Sequence, residues 1–171
     1  MNPEIVTLES GERVLYRPVR PDDKQFLRQG FDELSRESRY QRFATPKNRL
    51  TDAELAFYTE QDGVSHFAVG AGLIDDDGQL MEGIAIARYV SLPEDPSLAE
   101  IAIVVLDRFQ NRGIGTRLLE CLLAEAAGND LTRLRAHVQR TNRTAMLLIE
   151  KCVDQFDVSL DGSYRVFTWD L

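Results

Sequence analysis

The stretch from Ala99 to Thr116 constrains this chain most. An apolar run, Ile101 to Leu106, passes through a short polar loop into Gly113-Ile114-Gly115, and an apolar helical pattern follows over Ile114 to Ala127. Strand, glycine loop and helix start together make an anion site. Glycines lack the Cβ atoms that keep a backbone from approaching a phosphate, and the first N–H groups and dipole of the helix point at its charge. A strand predicted over Leu131 to Gln139 follows the helix, so the unit reads β-α-β and demands at least one parallel strand pair.

Spacing narrows the ligand. A Walker A loop ends in Gly-Lys-Ser/Thr, whereas Gly115 is followed by Thr116 and Arg117. A dinucleotide fingerprint needs Gly or Ala three residues after the second glycine, and that position is Leu118. Neither nucleotide motif fits.

Around this unit, alternation and turn residues predict strands over Arg13 to Val19, Ser65 to Ile74 and Gln79 to Val90, with a hairpin at Asp75-Asp76-Asp77-Gly78. Pro93 and Pro96 mark a loop before the strand Leu98 to Leu106, and two closing strands turn at Asp161-Gly162. Helices are expected over Asp22 to Leu34, Arg36 to Phe43, Thr51 to Tyr58 and Asn142 to Cys152, the third opened by the capping box Thr51/Glu54. This order predicts one α+β domain over residues 1–171, a mixed three-layer fold with a central sheet of about seven strands.

The net charge of −8 disfavours nucleic acid as a partner and suits a cationic acceptor, although acidity also serves solubility. Cys121 and Cys152 lie at helical spacing among apolar residues and read as small core residues of a reducing compartment. The first residues lack a leader pattern, and no apolar run is long enough to span a membrane, so a cytoplasmic protein is expected. His66 and His137, far apart and without nearby ligand patterns, are assigned structural roles, and no metal is expected.

Gln110-Asn111-Arg112-Gly113-Ile114-Gly115 resembles the Gln/Arg-x-x-Gly-x-Gly/Ala signature of the GNAT (GCN5-related N-acetyltransferase) family, and the resemblance extends over Arg13 to Leu171. It implies acetyl-CoA as cosubstrate, with backbone groups of Ile103, Val104 and Val105 holding the pantetheine arm and polarising the thioester carbonyl. Amides of Gln110, Asn111, Arg112, Gly113, Ile114, Gly115 and Thr116 would hold the pyrophosphate. Asn142 would touch the cofactor arm, or simply cap its helix. The acceptor implied is a primary amine, on a protein lysine or a small molecule, and a homodimer is the expected assembly.

Glu100 shares a strand face with Ala102, Val104 and Leu106. A carboxylate on an apolar face has either a catalytic or a structural reason. Burial would disfavour its charged form and suit it to act as a general base; alternatively it sits at the exposed strand start or pairs with an arginine. The position also resembles that of the family's general-base glutamate, which works through a bridging water. A tyrosine usual in the family as general acid is replaced by Ile149. Direct attack by the amine, with Glu100 as base, is the leading expectation; a non-catalytic acyl-CoA-binding module is the alternative.

Ser35 to Phe43 resembles a segment of bacterial protein-lysine acetyltransferases, some of them cyclic-nucleotide-regulated. Arg39, Tyr40 and Phe43 would then shape the acceptor pocket, or else Tyr40 and Phe43 pack in the core with Arg36, Arg39 and Arg42 solvated. With only about a dozen residues before the first expected strand, no preceding regulatory domain is expected.

Overall fold

The computed structural model describes residues 1–171 and contains one 8-stranded sheet. The strands are β1 (Glu4–Thr7), β2 (Arg13–Pro18), β3 (His66–Ile74), β4 (Leu80–Leu92), β5 (Asp95–Val105), β6 (Arg133–Gln139), β7 (Asp157–Asp161) and β8 (Tyr164–Asp170). Their spatial order is β1-β2-β3-β4-β5-β6-β8-β7. All neighbours are antiparallel except β5 and β6, the parallel pair demanded by the crossover helix.

The helices are α1 (Lys24–Glu33), α2 (Arg36–Phe43), α3 (Asp52–Thr59), α4 (Ile114–Gly128) and α5 (Arg143–Cys152). α1 to α3 cover one sheet face, while α4 crosses the other and carries α5 beside it. Between sheet and α4 lies the core, with Tyr16, Tyr89, Leu118, Leu119 and Leu122 all but fully buried. Cys121 belongs to this core, and burial pushes its thiol up.

Local chemistry explains the boundaries. Ser35 Oγ accepts from Ser38 N–H to open α2, and Thr51 and Glu54 form the expected reciprocal box at α3. The helix expected from Asp22 instead begins at Lys24, because Pro21–Asp23 form a 3₁₀ turn in which the Asp23 carboxylate accepts from Arg20 N–H at 2.7 Å. β1 is an additional strand; its four residues are too few to show a period in sequence, and pairing with β2 supplies its order. Pro96 lies inside β5 rather than in a loop, since only Pro93 and Glu94 turn the β4–β5 hairpin.

Gly72 is required where β3 bulges against β4. A Cβ there would stand 2.8 Å from the Glu82 carbonyl oxygen and 2.2 Å from Leu80 Cδ1.

Candidate active site

β5 and β6 pair only where Leu98–Glu100 meet Arg133–Arg135. Beyond Glu100 the strands part and leave a cleft of about 810 Å³ lined by both, by α2 and by α5. Leu106 N–H donates to the Ile84 carbonyl at 2.9 Å, so alternation turns the even-numbered peptides of β5 toward β4 and the odd-numbered ones toward the cleft. The amides of Ile103 and Val105 therefore face the cleft, whereas that of Val104 belongs to the β4 ladder. Gln110 Nε2 donates to the Val105 carbonyl at 3.2 Å and anchors the loop to the splayed strand.

The loop enters α4 with backbone donors free. Gln110 N–H donates to the Asp107 carbonyl at 3.3 Å, but no amide from Asn111 to Thr116 donates to a backbone carbonyl; the first bond of the helix is Arg117 N–H to Gly113 at 3.0 Å. Asn111 and Gly113 have φ of 58° and 82°, which curls these amides into a concave row. Gly113 is needed for that conformation. A Cβ on Gly115 would meet Leu148 Cδ2 at 3.4 Å, an ordinary contact, so this glycine is not demanded by packing within the protein.

Side chains in the loop do other work. Arg112 Nη2 donates to Glu12 at 2.7 Å, outside the cleft, and Ile114 is core; neither residue lines the cleft. The hydrogen bond from Ser10, followed by that from Arg112, holds the Glu12 carboxyl at about 2. This free row of amides fits a diphosphate, which accepts several N–H donors at once.

Asn142 lines the cleft and caps α5, its Oδ1 accepting from Ala145 N–H at 3.0 Å. The capping alternative is thus realised, and Nδ2 stays unused. Ile149 is 3% exposed and packs in the core, so the family's usual acid position can donate no proton.

Glu100 stands at the closed apex of the splay. Of the two settings expected for it, the structure shows the arginine-paired one and not the buried one: its side chain is 42% exposed, and its Oε2 lies 3.3 Å from both Arg135 Nη2 and His137 Nδ1. The arginine contact is a hydrogen bond; Nδ1 of His137 is close without being aligned for one. The β5/β6 register places Arg135 opposite Glu100, and sequence alone cannot supply that register. His137, expected to be structural, lines the cleft beside the carboxylate.

The α2 segment expected to shape an acceptor pocket also differs. Tyr40 is 53% exposed, and Arg39 lies against the Phe31 ring at 4.6 Å with Nη2 donating to the Asp32 carbonyl at 2.8 Å. Phe43 packs edge-on against Phe31 at 5.6 Å. The arginine turned inward is Arg42, which together with Phe43, Ala102 and Val104 lines both the cleft and an adjoining apolar cavity of about 100 Å³ beneath α1. Arg88 of β4 lines that cavity too, and it was legible in one respect: it interrupts the apolar run Ile84 to Val90 as Glu100 interrupts its own strand.

A parallel strand pair with a row of free amides at the start of the crossover helix is the architecture that the motif predicted; the opening of that pair at Glu100 is added by the structure. The sequence model of the Acetyltransferase (GNAT) family matches residues 25–153. The chain belongs to this family. Among relatives of this GNAT domain, the Acetyltransferase Pat of Mycolicibacterium smegmatis is 31% identical over 151 residues, 88% of this chain and 44% of that protein. The Acetyltransferase PA5475 of Pseudomonas aeruginosa is 29% identical over 81% of this chain and 73% of its own. The chain thus spans less than half the length of the first of these relatives.

The crystal structure of the GNAT domain of S. lividans PAT superposes with a TM-score of 0.84 at 27% identity, covering 99% of this chain and 97% of that one. A cAMP-binding acyltransferase from Mycobacterium smegmatis superposes with a TM-score of 0.66 at 26% identity, over 99% of this chain and 47% of that one.

Proposed function

We propose that this GNAT domain transfers the acetyl group of acetyl-CoA to a primary amine, on a protein lysine or a small molecule, with Glu100 as general base. The free amides from Asn111 to Thr116, at the mouth of a cleft that closes on Glu100, carry this reading. Those amides hold the pyrophosphate, and the cleft-facing peptides of Ile103 and Val105 receive the pantetheine arm. The amine nitrogen attacks the thioester carbonyl, the C–S bond breaks, and CoA leaves as thiolate. The proton shed by the nitrogen passes to Glu100, directly or through a water. Peptide N–H groups at the strand edge stabilise the oxyanion formed on the way. No covalent enzyme intermediate is needed. Thiolate is a fair leaving group, which is consistent with an apolar Ile149 at the usual acid position.

The buried Ile149 also favours a second reading, a domain that binds acyl-CoA without turnover. Glu100→Gln separates the two. Thiol release from acetyl-CoA in the presence of an amine panel is expected in the parent protein and should fall about 10²-fold or more in the variant, with acetyl-CoA affinity retained. No amine-dependent thiol release in the parent favours the binding module, and undiminished release in Glu100→Gln removes this residue as base.

A further inference from the structure

Two guanidinium groups on the acceptor side have no partner. Arg88 makes no hydrogen bond or ion pair; its Nε and Nη1 are fully buried without an acceptor, and the group packs against the rings of Phe57 and Tyr58, each 4.9 Å away. Arg42 stacks on Phe43 at 5.1 Å, forms no ion pair, and lines both the cleft and the apolar cavity. Burial pushes Arg42 down, and burial followed by the charge of Arg42 brings Arg88 to about 10. A guanidinium with buried nitrogens, as in Arg88, normally lies against a carboxylate; Arg42 is half-buried and equally without one.

The sheet register relates this pair to the base. Arg88 opposes Ala102, and Glu100 opposes Val90, so Arg88 and Glu100 are diagonal neighbours on one face with Cβ atoms about 7 Å apart. The remaining groups on this wall are Arg135 and His137 beside Glu100, Tyr58, and His66, whose ring lies 4.6 Å from that of Phe57 and whose buried Nε2 is also partnerless. Arg17 and Asp23 in the cavity pair with each other, and Lys151 and Asp161 in the cleft are one of each sign, so Glu100 is left as one carboxylate against three guanidiniums, in a chain whose net charge is −8. A polycation would meet repulsion there.

We propose that Arg42 and Arg88 form a subsite for an anionic group, a carboxylate or phosphate, carried by the acceptor amine close to its nitrogen. The planar guanidiniums suit bidentate recognition of such a group, while the ammonium end is drawn to Glu100. This assignment rests on the acetyl-transfer reading for the identity of the ligand as an acceptor, but its test does not depend on turnover. The anion could belong to a free amino acid or to an acidic residue beside a peptide lysine.

Binding is measured by calorimetry in the presence of CoA for matched pairs: free amino acids against their amides, and lysine peptides carrying glutamate or glutamine next to the lysine. The acidic member of at least one pair is expected to bind about 10-fold or more tightly than its neutral partner, with the ratio falling toward unity in Arg42→Gln and in Arg88→Gln. Which pair shows the preference identifies the source of the anion. Retention of the CoA-induced thermal shift verifies each variant's fold, and Arg42→Gln, on a surface helix, decides the matter if Arg88→Gln does not fold. No preference in either pair, or a preference unchanged in the folded variants, overturns the subsite. Preferential binding without thiol release would instead sink the acetyl-transfer reading and leave the subsite standing.

Discussion

Ser38 Oγ donates to Asp107 Oδ1 at 2.9 Å and so ties α2 to the end of β5. The same carboxylate accepts from Ser35 Oγ at 2.7 Å and Ser35 N–H at 3.1 Å. Asp107, two residues beyond the splayed strand, therefore clamps the helix that carries Arg42. Gln139 Nε2, donating to the Tyr40 carbonyl at 2.7 Å, clamps its other side from β6.

Asp107→Ala removes three acceptor contacts at once. It is expected to cost about 2 kcal/mol, since bonds to a charged group contribute about 1.5–3 kcal/mol each and these are partly solvated. The melting temperature should drop by roughly 4–8 °C, and acceptor KM should rise more than acetyl-CoA affinity changes. An acceptor KM identical to the parent's would show that the clamp does not position α2.

Gly113→Ala places a side chain at φ 82°, costing about 1–2 kcal/mol, and should weaken acetyl-CoA binding because the free amides lose their curl. Gly115→Ala meets only an ordinary contact with Leu148, so stability should stay within about 0.5 kcal/mol. Its effect on acetyl-CoA affinity then reports close approach of the cosubstrate alone. Unchanged affinity in both variants would move the diphosphate site elsewhere.

Arg17 and Asp23 form a two-pronged pair, both bonds 2.7 Å, with side chains only 14% and 11% exposed. Asp23→Ala strands a largely buried guanidinium and should destabilise by about 3–5 kcal/mol; Arg17→Met with Asp23→Leu should recover much of that loss. A melt of Asp23→Ala like the parent's would mean that solvent reaches Arg17 freely.

Acid should weaken the parent through the same groups. Burial pushes Asp23 up, but the bonds from Arg17 and Arg20 N–H outweigh it and leave the carboxyl below its ordinary value; Asp107, with Ser35 and Ser38 as donors, behaves alike. Depressed carboxyls stabilise the fold above the unfolded value near about 3.9, and the contribution is lost as pH falls through the lower folded values. Urea midpoints should thus fall below about pH 4, less steeply in Asp23→Ala and Asp107→Ala. Equal slopes in parent and variants would assign the acid sensitivity to other groups.

Gly72→Ala cannot fit without moving the Glu82 carbonyl or Leu80, and about 2–3 kcal/mol of destabilisation is expected from the overpacking. Hydrogen exchange should accelerate first along β3 and β4. Protection equal to the parent's would show that the bulge relaxes at no cost.

Short-range chemistry made much of this protein readable in one dimension. The Thr51/Glu54 box, the Asp75–Gly78 turn and the glycine loop follow from residues within a few positions of one another, where period and backbone preference act directly, and the parallel sense of the β5–β6 pair follows from the β-α-β order of consecutive elements. The family was legible for the same reason, because the loop that would cradle a diphosphate is contiguous. Tertiary structure alone decided the rest. Glu100 meets Arg135 and His137 because two strands separated by a helix pair in one register, and Arg42 reaches the cleft because Asp107 and Gln139 hold α2 over it. Whether a charged side chain is buried, paired or left free depends on what distant segments bring against it, and no local period encodes that.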